Sequence, residues 1–154
     1  MDLQQMQLLA AHVAEGNYGA VAQAFNQSPQ LAGFGIRAEI VDPLRPRVIL
    51  DPVTDAHRGG VGSTAVNGAV IAAMFDLAIG LLGVRFWLEG LAATATLNIQ
   101  YLRPALADSV VVEAECGEVT ARRIFGTAKL IGPDGTVFAQ AQGSLAKGLI
   151  RPGA

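Results

Sequence analysis

The sequence predicts an α+β fold in which an antiparallel sheet wraps one long central apolar helix, with an extra helix at the N-terminus. Three observations lead there. Gly68 to Val84 is almost wholly apolar, with Asp76 as its one charge. Four alternating segments follow it, separated by turn residues, and two shorter ones precede it. A helix that is apolar on nearly every side must be buried, and a sheet is the element left to bury it.

Each element has its own signal. Leu3 to Glu15 reads as an amphipathic helix, with Leu8, Leu9 and Val13 on one side and glutamines on the other. Asn26-Gln-Ser-Pro29 breaks that pattern, and Gly33 and Gly35 open something new. Ile36 to Val41 alternates like a half-buried strand, and Arg47 to Leu50 is its partner. Asp51 to Val66 is a glycine-rich loop carrying His57. Asn67, a favoured N-cap type, opens the apolar helix. Ala93 to Leu102, Ser109 to Val119, Arg123 to Ile131 and Thr136 to Leu145 then read as strands. The turn Gly132-Pro-Asp-Gly135 joins the last two as a hairpin. No repeat or linker divides the chain, so residues 1–154 form a single domain.

Bulk properties limit the function classes. Apolar residues make up 51% and charged residues 16%, a low charge density that calls for more burial than usual, either inside the chain or against a second copy of it. A net charge of −2 with no Lys/Arg run leaves no field for nucleic acid. Cys116 is the one cysteine, and His12 and His57 lie far apart, so neither a disulfide nor a metal site is expected. The apolar run is short of the roughly 20 residues a membrane span needs, and it has a carboxylate at its centre. The first residues lack the basic and apolar regions of a secretory signal, and a cytoplasmic protein is expected. Gly59-Gly-Val-Gly62 has no Lys-Ser/Thr after it and is no P-loop.

The central helix carries the candidate chemistry. On it, Asp76 shares a face with Ala69, Ala72, Ala73, Gly80 and Gly83, while Val70, Ile71, Met74, Leu77, Leu81 and Leu82 occupy the opposite side. One reading is a carboxylate facing a narrow cleft, poorly solvated and so a stronger base. The other is tight helix packing, with Asp76 bonded to a buried hydroxyl or amide. The helix start is the second candidate. Asn67, Gly68 and Ala69 present backbone N–H groups at the positive end of the helix dipole, where a carbonyl oxygen could be polarised. Plain capping accounts for the same residues. Asn67 and Asp76 are nine positions apart, about 13 Å along the helix. They can act on one carbonyl only when two chains bring opposite helix ends together.

With those residues in place, the sequence resembles the hotdog-fold thioesterases of the phenylacetic-acid-degradation (PaaI-like) group. That family opens its central helix with His-Gly-Gly and has an acidic residue nine positions after the His. Asn67-Gly68-Ala69 and Asp76 match those positions here, and Val70 to Ala78 looks like the family's helix. Thr94 stands where relatives often have a Ser or Thr beside the catalytic water. Leu97-Asn-Ile-Gln-Tyr-Leu-Arg-Pro-Ala105 is similar to the family's strand ending in Arg-Pro. The resemblance covers Leu31 to Lys147, which makes 31–147 the hotdog core and 1–30 a helical extension. Two departures stand out: Asn67 replaces the His, and Ala69 replaces the second Gly. An Asn or Gln that relatives often carry six positions before the His would fall near Val61.

The resemblance implies an acyl-CoA thioesterase acting on a small or medium acyl thioester. Gly68 N–H would polarise the thioester carbonyl, and Asp76 of a facing subunit would activate water or attack directly. Asn67 would orient the acyl group or hold the thioester, with Ala69 beside it, and Thr94 would place Asp76 or the water. Arg103, Arg122 and Arg123 are candidates for the CoA phosphates, or ordinary surface charge. No cofactor is implied, coenzyme A being part of the substrate, and the expected assembly is a homodimer or a dimer of dimers. Two alternatives stay open. One is a non-catalytic acyl-CoA binder, favoured by the missing His. The other is a hotdog dehydratase or hydratase, disfavoured because no histidine accompanies Asp76. His57 is expected to be a solvent-exposed loop residue, and His12 a surface one. Phe86 and Trp87 either line the acyl end or anchor the connection.

Overall fold

The structure, a computed structural model, describes residues 3–60 and 63–150. In chain order the elements are α1 (Leu3–Ala14), α2 (Tyr18–Asn26), α3 (Pro29–Phe34), β1 (Ile36–Glu39), β2 (Arg47–Leu50), α4 (Gly68–Leu81), β3 (Leu91–Tyr101), β4 (Val110–Val119), β5 (Arg123–Ile131) and β6 (Val137–Ile150). Short 3-10 turns occupy Asp55–His57 and Val84–Glu89. Val61 lies outside the described residues.

The six strands form one antiparallel sheet in the order β1-β2-β4-β5-β6-β3. It curls around α4, whose Ile71, Met74, Phe75, Ala78 and Ile79 are buried against it. Strand alternation supplies the other half of the core: Ile124, Ala128 and Leu130 face inward from β5, while Arg123, Phe125, Thr127 and Lys129 are exposed on its outer face. This is the hotdog arrangement. No helix among the described residues is long and apolar enough to cross a membrane.

Two glycines let the helix approach the sheet. Gly126 and Gly143 are cross-strand partners on β5 and β6. A Cβ on Gly126 would collide with Leu82 Cδ1. One on Gly143 would stand 2.7 Å from the Thr96 carbonyl oxygen and 3.3 Å from Ile79 Cγ2. The missing Cβ atoms leave the hollow that Ile79 and Leu82 fill. Gly143→Ala is therefore expected to destabilise the fold by about 1–3 kcal/mol, because the obstructing carbonyl belongs to a paired strand and cannot swing away. Denaturant unfolding measures this, and an unchanged midpoint would contradict the packing account.

The N-terminal extension departs from expectation. It holds three helices rather than one, and they run to Phe34 rather than stopping near residue 30. Helices of 9 and 6 residues are too short to show a clear 3.6-residue period. Their caps define them instead. Asn17 Oδ1 accepts the Ala20 N–H, and Ser28 Oγ accepts the Leu31 N–H with Pro29 in the first turn. What reads as a break at Asn26–Pro29 is thus the junction between two helices. β1 also ends at Glu39, and Val41 is 86% exposed.

The sheet has two edges, and they are treated differently. On β1, the Asn26 side chain donates to Ala38 O at 2.9 Å and accepts from Ala38 N–H at 2.6 Å, which closes that edge. β3 is bonded only to β6 and has no partner on its other side among the described residues. Ala93 to Thr96 are exposed in unbroken succession there. A long, open edge is a template for pairing with another strand.

Candidate active site

α4 is placed by both of its ends. At the start, Tyr101 OH donates to Gly68 O at 2.9 Å. At the far end, a Cβ on Gly83 would lie 3.0 Å from Ala92 Cβ and 3.2 Å from Leu145 Cδ1. The helix therefore runs antiparallel to β3, with its N-terminus beside the C-terminal end of that strand.

The helix start is a formed cap. Asn67 Oδ1 accepts the Ala69 N–H at 2.8 Å, and Asn67 O accepts the Ile71 N–H at 3.1 Å. Gly68 is exposed, and its own N–H meets no acceptor among the described residues. The Asn67 amide nitrogen remains available as a donor. Because the cap holds the first turn while Gly68 N–H belongs to the backbone, Asn67→Ala should cost about 1 kcal/mol in stability and only a modest factor in rate. Complete inactivity with unchanged melting would instead make the Asn67 side chain essential to the reaction.

The small-residue face is the less buried side of α4. Ala69 and Asp76 are exposed, and Ala72, Ala73 and Gly80 are half-buried. Space beside Gly80 is open, whereas Gly83 is buried against β3 and β6 and so leaves the open stripe. Asp76 makes no hydrogen bond or ion pair among the described residues. Within one chain it is thus neither tied to a buried hydroxyl nor enclosed in a cleft. The two hollows along the outer sheet surface, one bounded by Asn98, Gln100 and Gln142 and the other by Arg45, Glu113 and Ile131, do not reach it.

A β-bulge decides where Thr94 points. Thr94 pairs with Leu145 and Thr96 with Ser144, so two steps on β3 match one on β6 and Ala95 is the extra residue. Directly opposed residues share a face. Leu145 is fully buried on the inner face, so Thr94 turns toward the helix side. Thr96 turns outward, and its hydroxyl lies 2.9 Å from that of Ser144. Without the bulge both threonines would share one face.

The arginines separate into two groups. Arg103 follows β3 at the end where α4 begins. Arg122 and Arg123 lie at the β4–β5 turn, opposite Ala146 and hence level with Ala93. Ten residue steps, about 33 Å of extended chain, separate Ala93 from Arg103. All three arginines are exposed, and within one chain they cannot share a ligand phosphate.

Of the other residues, His57 departs from expectation. His57 is buried rather than solvent-exposed, because the 3-10 turn folds its ring back onto Thr54 and against Gly35. Trp87 is buried edge-on against Phe25 of α2 and anchors the connection after α4. Phe86 is half-buried under Lys147 Nζ, which lies 4.8 Å from its ring centre. Spacing alone does not single out Tyr101 or Arg58. Arg58 donates to Thr64 O at 2.8 Å and meets Asp108 at 2.9 Å, tying the glycine-rich loop to the segment before β4. Burial pushes the Cys116 thiol up, against a smaller opposing effect of Arg85, which leaves it protonated and a poor nucleophile. Among the described residues, no three His, Cys, Asp or Glu side chains gather where a metal ion could be held.

Comparison with known proteins bears on this geometry. The sequence model of the thioesterase superfamily matches residues 64–139, which contain Asn67, Asp76, Thr94 and Arg103. A Shewanella oneidensis protein described as related to the thioesterase superfamily superposes with a TM-score of 0.75 at 20% identity, over 92% of this chain and 98% of that one. The Escherichia coli PaaI protein from the phenylacetic acid degradation operon gives 0.72 at 17% identity, over 88% and 94%. A Haemophilus influenzae thioesterase gives 0.71 at 16% identity, over 82% and 86%. No curated protein matches by sequence. The thioesterase superfamily model thus matches the segment from Thr64 to Ala139, and the wrapped helix and sheet order give the chain the hotdog fold that these solved structures share.

Proposed function

We propose that the protein is an acyl-CoA thioesterase whose active site is completed by a second copy of the chain. The observation that carries this reading is the pairing of an unbonded Asp76 on the open face of α4 with an open β3 edge beside it. Antiparallel pairing of two β3 edges about a two-fold axis sets each chain's α4 start against the C-terminal half of its partner's α4. Asp76 of one chain then faces Gly68 of the other, which the distance along one helix forbids. The same operation sets Arg122 and Arg123 of one copy beside Arg103 of the other, gathering the separated arginines at one end for the CoA phosphates.

In this site Gly68 N–H donates to the thioester carbonyl oxygen and stabilises the oxyanion by roughly 3 kcal/mol. Asp76 takes the proton from an attacking water, or attacks the carbonyl carbon itself. On the water route, collapse of the tetrahedral species breaks the C–S bond and releases the acid and the CoA thiol, which carries away the proton Asp76 had taken. On the direct route it expels the CoA thiolate and leaves an acyl anhydride on Asp76, which water then hydrolyses to the acid. Thr94, turned toward the helix by the bulge, holds the carboxylate or the water. Asn67 shapes the start of the acyl site.

A panel of acyl-CoAs from acetyl to decanoyl and phenylacetyl tests this through release of free thiol. Catalysed release from at least one member is expected. Binding of acyl-CoA with no release across the panel would contradict hydrolysis and identify a non-catalytic binder.

A further inference from the structure

The loop between β2 and α4 contains a buried imidazole that the proposed reaction does not use. His57 ends the 3-10 turn and is 9% exposed. Its Nδ1 lies 2.9 Å from the Thr54 backbone nitrogen and 3.0 Å from the Thr54 hydroxyl. A backbone N–H can only donate, so Nδ1 accepts and the proton of the neutral ring is on Nε2. The other side of the ring rests on Gly35, where a Cβ would come within 2.7 Å of Nε2. Gly35 closes α3 with a φ of 64°, a conformation that favours glycine and leaves room for the ring. The imidazole is thus held between the turn and a helix C-cap.

The main chain of the same residue reaches the candidate site. His57 O accepts the Asn67 N–H at 2.8 Å, immediately before the Gly68 donor. Arg58 bridges Val66, and Gly59 N–H bonds Ala65 O at 3.2 Å, so the intervening loop is closed at its neck. His57 sits at that neck. Its ring fixes the Thr54 turn, and its carbonyl fixes the residue that caps α4.

We infer that His57 is a positioning residue: Nδ1 locks the Thr54 turn so that the His57 carbonyl holds Asn67 and aims the Gly68 N–H. This deepens the thioesterase reading and rests on it for its catalytic consequence, but the mechanical link can be read without catalysis. His57→Leu keeps the bulk of the ring and removes the acceptor. His57→Asn puts an amide oxygen where Nδ1 stands. In the Leu variant the Thr54 and Asn67 amides should exchange with solvent at least about tenfold faster, with β4 and β5 unchanged. Its kcat should fall about tenfold with KM within about twofold, since only a transition-state donor is mis-aimed. The Asn variant should restore both to within about threefold of wild type.

A residue that merely stabilised the fold would lower melting without changing kcat per folded molecule, and that result would overturn the assignment. So would wild-type exchange at Asn67 in the Leu variant, or an Asn variant no better than Leu. If the Leu variant does not fold, His57→Gln, whose amide reaches the Nε2 position and leaves Thr54 N–H without an acceptor, takes its place under the same criteria. Should the wild type hydrolyse no thioester, the exchange measurements alone decide the link, and the failure belongs to the functional reading.

Discussion

Asp76→Asn is expected to yield a folded protein that has lost at least about a hundredfold in thioester hydrolysis. The fold should survive because the carboxylate is exposed and makes no hydrogen bond or ion pair among the described residues. Substitutions at such positions usually change stability by less than about 0.5 kcal/mol. An amide of the same shape is neither a base nor a nucleophile, so the loss should fall on kcat with acyl-CoA binding nearly unchanged. Steady-state kinetics and a melting curve on the same preparation separate the two effects. Near-normal turnover in a well-folded Asp76→Asn protein would remove the carboxylate from the mechanism.

Much of this fold is legible in the sequence where local chemistry is decisive. The apolar run from Gly68, the Asn67 cap and the Pro-Asp-Gly turn each specify an element without help from distant residues. Asp134 illustrates this at the β5–β6 turn, where the Thr136 backbone N–H and hydroxyl both donate to its carboxylate and hold it below the usual range. The small-residue stripe around Asp76 could likewise be read from helical spacing, apart from Gly83, which the sheet covers. What could not be read depends on partners far along the chain. The bulge at Ala95 exists only in register with β6, and it turns Thr94 toward the helix. His57 is buried because Gly35, 22 residues earlier, leaves room for its ring. The three arginines look like one group in sequence, yet the strand order places them at opposite ends of the sheet. The same order leaves one edge closed by Asn26 and the other open, which no single segment reveals.

The shared site makes the most direct demand. Asp76→Ala and Gly68→Val should each be inactive alone, the first lacking the carboxylate and the second carrying a side chain over the helix start. Gly68→Val should still fold, since a Cβ there meets Tyr101 ring atoms at an ordinary 3.7 Å. In a mixed dimer, one site receives an intact Asp76 from one chain and an intact Gly68 from the other, while the second site receives neither. Random reassembly makes about half the dimers mixed, with one working site in two, so activity should return to about a quarter of wild type. The measurement is thiol release from the best acyl-CoA after the two inactive proteins have been unfolded and refolded together, with subunit exchange confirmed by a mass-tagged copy. Recovery near one quarter is the predicted result, and zero recovery with exchange confirmed would contradict a site shared between two chains.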